Sequence, residues 1–280
     1  MLAALRPRQW SKNLLLYAGI IFAAELDDPD RWIRATAAFV AYCLASSAAY
    51  IYNDVRDAEH DRLHPLKRHR AIASGAVRSS RALNVAGILA ALAFAIVAPL
   101  GWGSLAYMAG FFALQLAYSL GLKHLPLIDV MAISALFVIR AAAGAEAVDV
   151  KISPWLIVCT ALLALFLALA KRRGELAWAG DGSSGRPVLS GYSFALVDQL
   201  VSIVAACTIV AYALYTFEAR EGSAMMATIP FVVYGLFRYI QLMHREDLGE
   251  EPENVLLTDI PILATIAVWA VTSAVILAFV

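Results

Sequence analysis

Four oxygen-bearing side chains, Asn53, Asp54, Asp57 and Asp61, stand close together in the run Asn53-Asp54-Val55-Arg56-Asp57-Ala58-Glu59-His60-Asp61. On a helix Asn53, Asp57 and Asp61 fall at i, i+4 and i+8, and Asp54 shares that side, so the oxygens converge. Carboxylates at the mouth of a hydrophobic bundle are costly to keep, and such a cost points to a function. A set of this kind suits a hard cation. Mg²⁺ is the expected ion, because it takes oxygen from one or two carboxylates and leaves its other positions to water and substrate phosphates. Asn53, Asp57 and Asp61 are the expected metal ligands, and Asp54 and Asp57 the expected catalytic carboxylates. About ten residues on stand Lys67, Arg68 and Arg70, cations suited to phosphate oxygens.

The rest of the chain must hold this cluster at a membrane. Of its 280 residues 61% are hydrophobic and its mean hydropathy is +0.71, which is the composition of a polytopic membrane protein. Nine apolar spans can be drawn, at roughly 14–24, 33–52, 82–100, 103–120, 127–148, 154–170, 192–217, 226–243 and 257–280. The first is short unless its helix reaches back to about Arg8, and no small-residue cleavage site marks it as a signal peptide. A single transmembrane domain over residues 1–280 is expected, with polar working loops at about 53–81 and 171–191.

Charge sets the expected orientation. With a cytoplasmic N-terminus, seventeen basic residues fall inside and four outside, Arg140 being left within a span. The aspartates and their soluble substrate then face the cytoplasm. The net charge of zero hides this polarity, and no nucleic-acid patch is implied. Cys43, Cys159 and Cys207 each lie in an apolar span with no paired or metal-type spacing, and read as packing residues.

Several residues carry two readings. The aspartates could instead cap a helix and pair with Arg56, Arg62 and Arg68. His60 and His64 imitate a zinc pair, without the open geometry of a hydrolase. Arg6, Arg8, Trp10 and Lys12 suit an interfacial anchor as well as a ligand. Tyr118 suits an interface belt. Arg140, within the fifth span, is a substrate-contact candidate or half of an ion pair with Asp129 or Glu146.

The motif Asn53-Asp54-x-x-Asp57-x-x-x-Asp61, followed by Arg70-Ala71-Ile72-Ala73-Ser74-Gly75, resembles the UbiA superfamily of intramembrane prenyltransferases. Arg6-Pro7-Arg8-Gln9-Trp10-Ser11-Lys12-Asn13, His64-Pro65-x-Lys67-Arg68, Tyr118-Ser119-Leu120-x-Leu122-Lys123 and Lys171-Arg172-Arg173-x-Glu175-Leu176 resemble its decaprenyl-phosphate phosphoribosyltransferase branch. Weaker matches at Arg186-Pro187-Val188-Leu189 and Leu256-Leu257-Thr258-Asp259 extend the resemblance over nearly the whole chain.

That resemblance implies an all-α, nine-helix bundle around a lipid-lined cavity in the cytoplasmic (inner) membrane. It implies Mg²⁺-dependent transfer of 5-phosphoribosyl from phosphoribosyl pyrophosphate to a polyprenyl phosphate, feeding arabinan synthesis in a cell envelope. Most of the superfamily carries a second aspartate-rich motif after the sixth helix; here the position reads Lys171-Arg172-Arg173-Gly174-Glu175, which suits direct binding of phosphate oxygens. Lys12, Lys67, Arg70, Tyr118, Lys123, Arg140, Lys171, Arg172 and Glu175 are the expected substrate-binding set. Prenylation of an aromatic acceptor and transport of a lipid phosphate are the alternatives, and a homo-oligomer is compatible with either.

Overall fold

The structure, a computed structural model, describes residues 2–22, 27–63, 67–151, 153–179, 187–218, 224–245, 255 and 258–279. His64, Pro65, Arg186, Leu256, Leu257 and the 180–186 part of the second working loop lie outside the described residues, as does the side chain of Lys67. Every regular element among the described residues is helical. The long helices are α1 (Pro29–Arg56), α3 (Ser79–Val97), α4 (Trp102–Leu120), α5 (Ile128–Ala147), α6 (Pro154–Ala179), α7 (Phe194–Glu218), α8 (Ile229–Arg245) and α9 (Ile260–Phe279), and a short α2 (Ala58–Leu63) follows α1.

Among the described residues six stretches are long and apolar enough to cross a membrane: Pro29–Arg56, Ser79–Leu100, Ile128–Ala147, Pro154–Ala177, Phe194–Phe217 and Ala224–Arg245. The expected span at 103–120 is the 19-residue α4, whose hydropathy is diluted by Gln115, two tyrosines and two serines. The last span is α9, with a shorter apolar stretch at Ile260–Ile276.

The chain forms two compact units, one of Met1–Lys123 with Leu136–Ile152, the other of His124–Ala135 with Ser153–Val280. In the first, α1 starts at Asp28, whose carboxylate accepts the Asp30 N–H at 2.9 Å, with Pro29 at the first helical position. At 28 residues α1 is about 42 Å long against about 30 Å of hydrocarbon, so its polar ends must lie outside the apolar layer. Its small-residue face, Ala35, Ala38, Ala41, Ala45 and Ala48, lets neighbouring backbones come close, and Ala82, Ala86 and Ala93 of α3 are buried in the same cores.

The expected helix from about Arg8 through residue 24 takes a different form. Residues Pro7–Tyr17 wind as a 3₁₀ helix and Ala18–Phe22 as one α-helical turn. With three residues per turn, Trp10, Asn13 and Leu16 stack on one side. The Trp10 indole donates to Ser47 Oγ at 3.1 Å, the Asn13 amide contacts Cys43 Sγ at 3.3 Å, and Leu16 is fully buried beside Ala38 and Tyr42. Side-chain partners on α1 therefore override the helical pattern of this segment.

In the second unit, Phe166, Leu169, Val197, Val201, Leu236, Tyr239, Met243 and Ile262 join α6, α7, α8 and α9 in one core. Asp259 begins α9. Its carboxylate accepts the Ile262 N–H at 2.9 Å and binds Arg238 of α8, with Nη2 to Oδ2 at 2.8 Å. The Arg238 hydrogen bond, aided by the backbone N–H, holds the Asp259 pKa below its ordinary value. A lowered native pKa means the stabilisation is complete above the unfolded value of about 3.9 and is lost as pH falls through the native one. Asp259→Asn should therefore cost stability at pH 7, about 1 kcal/mol as for a lost cap. Thermal melts in detergent should show the gap between variant and parent closing as the pH falls below 4.

Candidate functional site

The acid run begins on the last turn of α1 and continues through Asp57 into α2. Asp57 (φ −90°, ψ 2°) breaks the helical dihedrals, yet its N–H reaches the Asn53 carbonyl at 2.9 Å and the Asp61 N–H reaches the Asp57 carbonyl at 2.8 Å. The helical spacing of Asn53, Asp57 and Asp61 thus persists across the break. Their side chains divide into two groups, and no three acids or histidines gather at one point among the described residues.

Asn53 and Asp57 form the first group. The Asn53 Nδ2 donates to Asp57 Oδ2 at 3.0 Å, and the Lys123 ammonium donates to Asp57 Oδ1 at 2.6 Å, Asp57 Oδ2 at 2.9 Å and Asn53 Oδ1 at 3.2 Å. Lys123 belongs to the turn Leu122–His124 immediately after α4, and it ties that end of the helix to α1. Three oxygens around one compact cation form a cradle for a hard ion, with one carboxylate and one amide carbonyl, and Asp61 lies one turn on. This donor chemistry fits Mg²⁺, which needs one or two carboxylates and takes its other ligands from water and phosphate.

Asp54 and Asp61, both buried, form the second group. Arg70 forks between them, at 3.2 Å from Asp54 Oδ1 and 2.7 Å from Asp61 Oδ2, while Arg6 binds Asp54 from the N-terminal segment and stacks over the Tyr50 ring. Arg70 opens the tight turn Arg70–Gly75, closed by bonds from Ser74 N–H to Arg70 O and from Val77 N–H to Ala71 O. Gly75 supplies φ +80°, which other residues rarely adopt, and Arg62 donates to the Ala73 carbonyl at 3.1 Å. Of the predicted loop cations, Arg70 is thus clamped to the acid run by the aspartates themselves. Of the expected partners Arg56, Arg62 and Arg68, Arg62 turns to a backbone carbonyl instead, and Arg68 to His69.

Arg140 is buried without a carboxylate partner among the described residues, so neither expected ion pair forms. Its Nε donates to Asn13 Oδ1 at 2.8 Å and its Nη1 to the Leu136 carbonyl at 2.9 Å. The Phe111 and Phe137 rings lie 4.9 and 5.3 Å from the guanidinium carbon. Two oxygens and two π faces replace the missing anion. Asn13 received no role from its type alone, and no local pattern contains the 3₁₀ winding that brings it to Arg140. Lys12 and Tyr118 are half-buried in the same unit.

In the second unit Arg172 is 1% exposed, with Nη1 on Glu175 Oε2 and Nε 3.6 Å from Asp129 Oδ2. Asp129 also accepts from the Tyr192 hydroxyl at 2.6 Å, and that hydroxyl accepts the Leu127 N–H at 2.7 Å. Burial, and then the bond to Asp129, raise the Tyr192 pKa, so the phenol stays protonated at any physiological pH. Asp129, one of the partners expected for Arg140, therefore serves Arg172. Arg173 donates to Asp198 at 2.7 Å and to the Met243 carbonyl at 2.7 Å, joining α6 to α7 and α8. Lys171 and Glu175 are half-buried on the same helix.

A helical membrane chain that carries this asparagine–aspartate run at the end of a long helix, with arginines clamped over it, has the features of an intramembrane transferase of phosphorylated lipids. The profile of the UbiA prenyltransferase family matches residues 14–258, and the protein belongs to that family and is an integral membrane protein. Over 276 residues it is 37% identical to the decaprenyl-phosphate phosphoribosyltransferase of Mycolicibacterium smegmatis, covering 92% of this chain and 86% of that one. It is 34% identical over 285 residues to the enzyme of the same name from Mycobacterium tuberculosis strain CDC 1551, covering 99% and 93%. A UbiA homolog from Archaeoglobus fulgidus bound to GPP and Mg²⁺ shares the fold, with a TM-score of 0.75 at 19% identity over 99% of both chains.

Proposed function

We propose that this protein is a polyprenyl-phosphate phosphoribosyltransferase that moves 5-phosphoribosyl from phosphoribosyl pyrophosphate to a polyprenyl, and specifically a decaprenyl, phosphate. The observation that carries this is the 37% identity, over nearly the full chain, to a decaprenyl-phosphate phosphoribosyltransferase. The basic run Lys171-Arg172-Arg173, which stands where most of the superfamily has a second aspartate motif, supports a phosphate-binding role for that segment. In this proposal the whole chain acts as one nine-helix transmembrane domain in the cytoplasmic membrane. Its N-terminus and the loops at about 53–81 and 171–191 lie on the cytoplasmic side, and its product feeds cell-envelope arabinan.

Mg²⁺ held by Asn53, Asp57 and Asp61 would neutralise charge on the departing pyrophosphate. The chain's own cations do the rest. Arg70, locked by Asp54 and Asp61, presents positive charge to phosphate oxygens at a fixed position, which costs little reorganisation as charge develops, and Lys67 is a second phosphate ligand in this proposal. Asp54 acts by holding Arg6 and Arg70 in place. In the second unit Lys171, Arg172 and Glu175 on one helix are the proposed substrate-binding residues of that run, with Arg172 held by Asp129 and bonded to Glu175. Lys12, Tyr118 and Arg140 support the acceptor side, Arg140 through Asn13. A lipid phosphate monoester already carries about 1.5 to 2 negative charges at pH 7, so its oxygen attacks C1 as the C1–O bond to pyrophosphate breaks, and no strong general base is needed.

The deciding assay gives purified protein labelled phosphoribosyl pyrophosphate and a polyprenyl phosphate, with Mg²⁺ or with EDTA. Label entering the lipid phase only with Mg²⁺ is expected. A parallel reaction with a prenyl diphosphate and 4-hydroxybenzoate should yield nothing; a prenylated aromatic there would replace the proposal.

A further inference from the structure

We propose that Lys123 is a tethered counter-cation that fills the Asn53–Asp57 cradle until metal and diphosphate arrive together, so that one ammonium couples the two binding events. The inference rests on the metal role assigned above to Asn53 and Asp57. Lys123 Nζ lies 2.6, 2.9 and 3.2 Å from the oxygens that a metal would use, and its side chain is only 10% exposed. No other cation touches the Asp57 carboxylate among the described residues, because Arg70 and Arg6 are taken by Asp54 and Asp61.

An ammonium and a divalent ion cannot share oxygens at these distances, since two positive charges a few ångströms apart repel strongly in a partly buried site. Metal entry therefore expels Lys123. Its four-carbon stem lets the head group swing while the turn Leu122–His124 stays in place. An expelled, mostly buried ammonium needs an anion, and a metal-bound diphosphate brings one to the same spot. The metal alone must pay for stranding Lys123, whereas metal with diphosphate does not. Each ligand then strengthens the other by the same factor. After the exchange Lys123 becomes a phosphate ligand, so one residue guards the empty site and binds the occupied one.

The test uses the full-length protein with Mn²⁺ as the probe, read from the free-Mn²⁺ EPR signal, with and without inorganic pyrophosphate and against protein-free controls. In the parent, Mn²⁺ alone should bind weakly and pyrophosphate should strengthen it well beyond the control. Lys123→Met should bind Mn²⁺ alone about tenfold more tightly or better, as expected for loss of one competing ion pair of about 1.4 kcal/mol, and should gain little from pyrophosphate. Lys123→Arg should stay close to the parent. Equal Mn²⁺ affinity in Lys123→Met and the parent would overturn the inference, and Lys123→Gln repeats the comparison should the methionine variant melt early. Asp57→Asn should lose Mn²⁺ binding in either background. Retention of binding there would remove the metal assignment itself, an outcome separate from loss of coupling alone.

Discussion

Asp57→Ala should abolish phosphoribosyl transfer, by about a thousandfold or more, while the protein stays folded in detergent. Asp57 supplies two of the three oxygens in the cradle, and the charge stabilisation assigned to a cation there is worth several kcal/mol, at 1.36 kcal/mol per factor of ten. The fold should survive because the side chain is 30% exposed and its structural bonds run through the backbone, from Asp57 N–H to Asn53 and from Asp61 N–H to Asp57. Lys123 loses its carboxylate but keeps Asn53 Oδ1. Asp54→Ala is the contrasting case. That carboxylate is 6% exposed and holds both Arg6 and Arg70, so its removal strands Arg6, leaves Arg70 on Asp61 alone, and should lower activity and melting temperature together. Full transfer activity in Asp57→Ala, measured with labelled donor beside a melting curve, would remove the metal site from this motif.

Gly144→Val should collapse the first unit. A Cβ at Gly144 would run into the backbone of Leu16, including its carbonyl oxygen, and one at Gly19 would lie 2.7 Å from the Ala145 Cα. Neither neighbour is the flexible end of a side chain, so the 3₁₀ segment would have to leave α5. Leaving would break the Asn13–Arg140 bond and expose the fully buried Leu16. Overpacking of this kind costs about 1–3 kcal/mol at a yielding site and more where backbone must move; here at least about 4 kcal/mol is expected. Gly110→Val is the control, because a Cβ there meets nothing within 4 Å; its effect should stay within about 0.5 kcal/mol. Melting followed by light scattering in one detergent distinguishes the two, and equal stability of both variants would refute the close-contact argument.

Much of the site was legible in the chain because it is local. Asn53, Asp57 and Asp61 sit four residues apart, and helical spacing survives even where α1 yields to α2. The apolar periods from residue 33 onward also mark helices well, since a bilayer-crossing helix satisfies its own backbone and needs only length and hydrophobicity. The segment before them was not legible. Whether Pro7–Tyr17 winds as α or 3₁₀ depends on Ser47 and Cys43 of another helix, which no local pattern contains.

Partnership was the other thing that tertiary structure decided. Sequence marks Arg140 as a costly cation within an apolar span and Arg172 as part of a basic run in a polar loop, and it settles the partner of neither. Only the packed chain gives Arg140 an amide and two aromatic faces, and gives Asp129 to Arg172. Likewise the cluster of acids is written in residues 53–61, but its division, with Lys123 on Asp57 and Arg6 with Arg70 on Asp54, joins residues 48 and 66 positions apart. Residue type and helical spacing act over a few residues and can be read directly. The pairing of charges is settled by which distant segments meet, and that is a property of the fold.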